Sequence, residues 1–257
     1  MNTDVIDVAA LAEILDDAAQ AGRTVARPTD TLPLDVATAY QVQRAAFERR
    51  LTRGERPAGV KMGFTSKAKM AQMGVDDLIW GMITDAMLVE DGGTLDIGGL
   101  IHPRIEPEIA FLLGRPLTGR PTPAEVAGAV AGVAVAYEVL DSRYEGFSFT
   151  LPDVIADNAS AAALGVGPWR PLTDVGNVGL LLEIDGRPAE AGSSAAILGD
   201  PLRSLAAAAR LACAAGVTLE AGWIVLAGAA TAAVPLPRGA HVRVAASGLG
   251  NVEVTTR

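Results

Sequence analysis

Two apolar, β-like runs each carry carboxylates in their interior, and a fold for this chain has to bury those runs without stranding the charges. The first is His102-Pro103-Arg104-Ile105-Glu106-Pro107-Glu108-Ile109-Ala110-Phe111 and the second is Val133-Ala134-Val135-Ala136-Tyr137-Glu138-Val139-Leu140. Side chains at i and i+2 of an extended segment leave the same face, so Glu106 and Glu108 point together. Glu138, unpaired inside its run, is costly to bury. A cation shared by the three resolves that cost. The set is all carboxylate, with His102 the only histidine nearby, which suits a hard ion, Mg²⁺ or Mn²⁺, rather than zinc or copper. The same pattern also fits the solvated face of an edge strand, where alternate charges are common and Pro107 is tolerated.

Lysine usage adds a second candidate. Lys61, Lys67 and Lys69 are the only lysines, all within Lys61-Met62-Gly63-Phe64-Thr65-Ser66-Lys67-Ala68-Lys69, and every other basic side chain is arginine. A desolvated lysine can lose its proton and an arginine effectively cannot, so Lys61, flanked by Ala58-Gly59-Val60 and Met62, is a candidate for proton chemistry. The competing reading is an ordinary lysine at a strand end. Lys67 and Lys69 are expected to face solvent.

The chain has 257 residues, enough for one large core or for a core with a smaller helical cap. A formal charge of −9 without a compensating basic cluster argues against a nucleic-acid partner. The single cysteine, Cys213, can form no internal disulfide, which fits a reducing cytoplasm, and it reads as a small buried apolar residue. Neither a signal peptide nor a membrane span is legible; Ala124 to Leu140 is apolar but interrupted by Glu125 and Glu138.

Along the chain, Val8, Leu11, Leu15 and Ala18 form a helical stripe, with Thr3 or Asp4 to cap it and Gly22 to end it. A second helix is expected from about Asp35 to Arg53. Beyond Gly81 short β-like runs alternate with turn signals such as Asp91-Gly92-Gly93 and Asp185-Gly186. Two helices interrupt them, one opening at the capping box Thr122-Pro123-Ala124-Glu125 and one near Asp200-Pro201. The expectation is an α+β fold, with a helical N-terminal part over residues 1–80 and a β-rich metal-binding core over 81–257.

The chain resembles the hydratase and decarboxylase branch of the fumarylacetoacetate hydrolase superfamily over nearly its whole length. The resemblance rests on Lys61 to Met70, Gln72-Met73-Gly74, Ile79-Trp80-Gly81-Met82-Ile83-Thr84-Asp85, and the block from His102 to Phe111. It continues through Asp141-Ser142-Arg143-Tyr144, the stretch from Phe149 to Asn158, and Leu226 to Ala233. The stretch Phe147-Ser148-Phe149-Thr150-Leu151-Pro152-Asp153 and the alanine-threonine run near the end look like the branch's decarboxylases. After Asn158 those decarboxylases often carry a serine run, where this chain reads Ala159-Ser160-Ala161-Ala162-Ala163.

The resemblance implies a fumarylacetoacetate hydrolase-like β-rich core and a divalent ion, Mg²⁺ or Mn²⁺, held by Glu106, Glu108 and Glu138. It implies Lys61 as the catalytic side chain and Ser160, Thr65, Ser66, Arg104, Arg143 and Asp85 as substrate contacts. The implied reaction is decarboxylation of a dianionic 2-oxo dicarboxylate, 2-oxohex-3-enedioate, to 2-hydroxypenta-2,4-dienoate and CO₂ in aromatic meta-cleavage catabolism. The alternatives are a 2-oxopent-4-enoate hydratase using the same groups, and a catalytically silent partner subunit. A carbon–carbon hydrolase of the wider superfamily fits less well, because those enzymes place a histidine–glutamate pair in the N-terminal part and this chain's histidines are His102 and His241. Homo-oligomerisation and association with a companion hydratase are implied as well.

Overall fold

Residues 6–66 and 78–257 are described by a computed structural model. Lys67, Lys69, Met70 and Gln72-Met73-Gly74 lie outside the described residues. The first stripe forms α1 (Val8–Ala21), capped by Asp7, which accepts from Ala10 N at 3.0 Å, while the expected caps Thr3 and Asp4 lie outside the described residues. Gly22 ends the helix at a φ of 59°, with its α-carbon so near Gly99 that a Cβ would fall 2.6 Å from the Gly99 carbonyl oxygen. Asp35 caps α2 (Val36–Thr52) by accepting from Thr38 N. The two helices are stapled by charge as well as packing. Arg53 grips both oxygens of buried Asp16 at 2.6 and 2.7 Å, and Arg49 adds a third bond at 2.9 Å. Burial works against the Asp16 charge, yet the two guanidiniums more than offset it and hold the carboxyl below its usual range.

The strands are β1 (Pro57–Gly63), β2 (Ile79–Thr84), β3 (Leu88–Val89), β4 (Gly93–Leu95), β5 (Arg104–Leu113), β6 (Val130–Leu140), β7 (Ala161–Val166), β8 (Gly179–Ile184), β9 (Arg187–Ser193), β10 (Ile224–Ala229), β11 (Val234–Pro235), β12 (His241–Ala246) and β13 (Gly250–Thr256). The further helices are α3 (Pro123–Ala129), α4 (Leu151–Ala156) and α5 (Pro201–Ala214). Among the described residues the larger sheet runs β2-β1-β10-β5-β6-β7-β3 with β11 added beside β5, and the smaller runs β4-β13-β12-β8-β9. The Asp185-Gly186 turn joins β8 to β9 with both residues at positive φ, as a tight hairpin requires. The Asp91-Gly92 turn instead passes the chain from β3 in one sheet to β4 in the other.

Strand alternation assigns the two faces of the large sheet different tasks. Val60, Met62, Ile105, Ile109, Phe111, Val133, Val135, Tyr137, Val139 and Val225 enter the main core, together with Leu182, Val242, Val244, Val252 and Val254 of the small sheet and Leu205 and Ala208 of α5. Each fully buried Val, Leu, Ile, Phe or Met side chain among them contributes roughly 1.5–3 kcal/mol of transfer free energy. The opposite face presents Lys61, Glu106, Glu108, Ala110, Ala136, Glu138 and Leu226. The helices α1, α2 and α4 share a second core that includes Leu15, Val42, Ile79 and Ile155.

The helical part alone therefore stops at Thr52, since β1 and β2 already belong to the large sheet and residue 80 falls within β2. Cys213 differs from its expected burial: it is exposed near the end of α5. Met62, Met82 and Met87 are buried, as packing residues should be. No helix among the described residues is long and apolar enough to cross a membrane.

Candidate metal centre

β5 is an interior strand with β10 on one side and β6 on the other, which removes the solvated-edge reading of its glutamates. A proline inside a central strand needs a neighbour that does not ask for its missing N–H. The Pro107 carbonyl accepts from Ala230 N at 2.9 Å, so its nitrogen faces β10 as well, and there the register breaks between Leu226 and Ala229. The break has a second effect. Gly228, at a φ of 108°, turns its N–H out of the ladder and donates to Glu108 Oε2 at 2.8 Å.

Glu106 and Glu138 stand directly opposite on β5 and β6, and Glu108 lies one pleat along, opposite Ala136. Glu106, Glu108 and Glu138 are 5%, 0% and 1% exposed, and one oxygen from each lies within 4.8 Å of the others. Like charges opposed across a sheet repel, and burial compounds the cost. Lys61 on β1 brings a cation to the cluster. Its Nζ forms an ion pair with Glu138 Oε1 at 2.9 Å and donates to the Ala159 carbonyl at 3.1 Å.

Protonation follows from this crowding. Burial pushes Glu108 well above the carboxylate range, Glu138 and Glu106 push it further, and Lys61 and the Gly228 N–H act against the rise. Burial lifts Glu138 to about 7 despite the pull of Lys61. For Lys61, burial favours loss of the proton, but attraction to Glu138, Glu106 and Glu108 outweighs it and the net shift is upward. The three carboxylates therefore favour the protonated form of Lys61, the form that can donate a proton, as a candidate for proton chemistry requires.

The residues fit a divalent ion. Glu108 Oε1 and Glu138 Oε2 are buried without a hydrogen-bond partner, and Glu138 Oε1 has the Lys61 ammonium beside it, so the cluster keeps lone pairs that a cation would serve. A dication together with Lys61 balances the three carboxylates. The all-oxygen donor set is that of a hard ion.

The floor of the site is the turn from 157 to 160. Asn158, Ala159 and Ser160 all have positive φ, at 51°, 51° and 59°. Such strain persists only when surroundings over-determine it. Here the Asn158 amide donates to Met82 O and accepts from Met82 N, at 2.9 and 2.8 Å, while the Arg143 guanidinium holds both the side chain and the carbonyl of Asp157. Burial raises Asp157 to about 6, against the pull of Arg143. The turn aims the Ala159 carbonyl at Lys61 and leaves Ser160 Oγ buried and unpartnered.

Of the other expected contacts, Thr65 is buried against Gly228, where a Cβ on the glycine would meet Thr65 Oγ1 at 2.1 Å. Ser66 is half-buried just beyond it. Arg104 shares the face of Glu106 and lies over the Phe147 ring. Two expected contacts are engaged elsewhere. Arg143 is held by Asp157, and Asp85, beyond the far end of β2, accepts from Arg56 N and Nε at 2.9 and 2.8 Å. Sequence reasoning passed over Gly228, because only the break in β10 directs its N–H to Glu108.

Residues 65–257 match the fumarylacetoacetate (FAA) hydrolase C-terminal family. The chain is 52% identical over 250 residues to a 4-oxalocrotonate decarboxylase of Pseudomonas sp, covering 97% of this chain and 98% of that one. It is 37% identical over 246 residues to a 2-keto-4-pentenoate hydratase of Paraburkholderia xenovorans (strain LB400), covering 94% and 91%. Its fold is similar to that of 4-oxalocrotonate decarboxylase from Pseudomonas putida G7, complexed with magnesium and adipate, at a TM-score of 0.95, 39% identity and 100% coverage of both chains.

Proposed function

Because the chain belongs to the fumarylacetoacetate hydrolase family, we propose that its carboxylate–lysine site performs the branch's decarboxylation, converting 2-oxohex-3-enedioate (4-oxalocrotonate) to 2-hydroxypenta-2,4-dienoate and CO₂. The enzyme is a metal-dependent carbon–carbon lyase. One observation carries the reading: a buried Glu106-Glu108-Glu138 cluster with Lys61 against it, in a chain nearer in sequence to the decarboxylases than to the hydratases.

Glu106, Glu108 and Glu138 hold the ion, with the Gly228 N–H orienting Glu108. When bound, Mg²⁺ supplies Lewis-acid stabilisation at the 2-oxo acid end of the substrate; the all-carboxylate set supports Mn²⁺ as an alternative ion. As the C5–C6 bond breaks, its electron pair moves through C4 and C3 onto the 2-oxo oxygen, and C6 departs as CO₂. Lys61 Nζ donates a hydrogen bond to that oxygen as charge develops and supplies the proton that completes the enol. Ser160 Oγ, buried and without a partner, is the donor assigned to the substrate carboxylate, and Thr65 and Ser66 are further substrate contacts. Arg104 neutralises substrate charge at the rim. Arg143 acts on this site through Asp157 and the turn it anchors, and Asp85 fixes the chain end of β2.

Support for a companion 2-oxopent-4-enoate hydratase comes from the product, a reactive dienol that such an enzyme would consume. Support for self-association comes from an apolar groove of about 530 Å³ lined by Tyr40, Phe47, Leu51, Trp80 and Leu211, away from the carboxylates. The lone cysteine supports a reducing, cytoplasmic setting.

The test supplies 2-oxohex-3-enedioate with Mg²⁺, with and without chelator, and follows substrate absorbance together with released CO₂. Chelator-sensitive CO₂ release is expected. Loss of supplied 2-hydroxypenta-2,4-dienoate without any CO₂ from the dicarboxylate would transfer the assignment to the hydratase.

A further inference from the structure

One corner of the metal-bearing face carries donors that the carboxylate cluster does not use. Arg104 precedes Glu106 by two residues on β5, so its side chain leaves the same face about 7 Å along the strand, comparable to the span of a six-carbon dicarboxylate. Its guanidinium carbon sits 4.7 Å from the centre of the Phe147 ring. Among the described residues it makes no ion pair or hydrogen bond. An arginine laid on an aromatic face keeps the N–H groups at its edge free for a planar anion.

His102 approaches the same ring, with centroids 5.3 Å apart. Its Nε2 is buried and has no hydrogen-bond partner. The backbone beneath it is pinned, because Asp141 accepts from Ile101 N and His102 N at 3.0 and 2.8 Å. A buried polar nitrogen left unmet costs about 1–3 kcal/mol, which a ligand oxygen would relieve in the tautomer that carries its proton on Nε2. Phe147 is itself held at a φ of 57° directly after Gly146 at 64°. Backbone strain of this kind gathers at ligand clamps.

We infer that His102, Arg104 and the Phe147 ring form the subsite for the second carboxylate of the substrate, and that this corner makes the enzyme select 2-oxo dicarboxylates over monocarboxylates. The inference rests on the decarboxylase reading, since only that reaction requires a carboxylate at the far end. Arg104 and His102 Nε2–H meet the carboxylate oxygens at their edge. The Phe147 ring offers an apolar surface to the group as it loses charge and leaves as CO₂.

The test measures binding rather than turnover. Mg²⁺-loaded wild type, Arg104→Met and His102→Leu are titrated calorimetrically with adipate and with hexanoate, which has the same carbon chain and one carboxylate fewer. Wild type is expected to prefer adipate. Each substitution lowers adipate affinity roughly 10- to 100-fold and leaves hexanoate affinity within twofold. Unchanged adipate affinity in both variants overturns the inference, and so does an equal loss for both ligands, which would mean that the proximal site was disturbed. Thermal melts confirm that each variant is folded. CO₂ release by wild type is read separately: an active wild type whose variants bind adipate normally overturns the corner alone, and an inactive wild type overturns the reading beneath it.

Discussion

Gly228→Ala tests whether the break in β10 builds the metal centre or merely accommodates Pro107. The new methyl group would lie 2.1 Å from Thr65 Oγ1 and 2.6 Å from Thr65 Cγ2. Thr65 cannot withdraw freely, because its carbonyl accepts from Leu198 N at 3.0 Å. The backbone at 228 must also keep a φ of 108° with a side chain attached, at a cost on the order of 1–3 kcal/mol. If the backbone gives way instead, the buried 2.8 Å bond to Glu108 is lost, and the buried groups left unmet cost about 1–3 kcal/mol. Either route predicts destabilisation of roughly 1–3 kcal/mol, a sizeable share of a typical domain's stability. Glu108 then loses its orientation, and Mg²⁺ affinity is expected to fall at least tenfold. Urea unfolding in chelator gives the first quantity and calorimetric Mg²⁺ titration the second. A loss below about 1 kcal/mol with unchanged Mg²⁺ affinity would refute the argument, since neither the dihedral nor the bond would then matter.

Two further outcomes follow from the charges. Lys61→Ala should keep the fold and Mg²⁺ binding but reduce turnover on the order of 100-fold or more; near-wild-type turnover would remove Lys61 from the mechanism. In chelator, folded Glu138 titrates at about 7 against about 4.3 for an unfolded glutamate, and Glu108 is raised as well. The folded chain then holds more protons than the unfolded one across that window, so stability declines as pH rises, by about 1.4 kcal/mol per pH unit for each proton. Mg²⁺ takes the deprotonated form. Its stabilising increment should therefore grow from about pH 4 to about pH 7, and a pH-independent increment in thermal melts would contradict the buried, coupled cluster.

Much of this protein was legible locally. The capping box at Thr122, the glycine stop at Gly22 and the Asp185-Gly186 hairpin are short-range chemistry, and each forms where its residues predict. Period-two alternation put Glu106 and Glu108 on one face of a strand before any fold was known. The start of α1 was misplaced because two acidic residues near one stripe compete as caps, and the choice of Asp7 depends on where the helix meets its neighbours.

Tertiary structure decided what pairing and burial alone can decide. Alternation does not say whether β5 lies at an edge or between β10 and β6, and that position turns a possible solvated face into a buried cluster of like charge. Register across strands far apart in sequence set Glu138 opposite Glu106. The same cluster decides the protonation of Lys61, because Coulomb attraction from three carboxylates outweighs desolvation. Arg143 and Asp85 look like any other charged residues in the chain, and only the fold shows that Asp157 and Arg56 engage them. The residue pattern therefore determined which side chains share a strand face and what chemistry they favour. Their charge states and partners depend on groups a hundred residues away, and distances of that kind exist only once the sheet has closed.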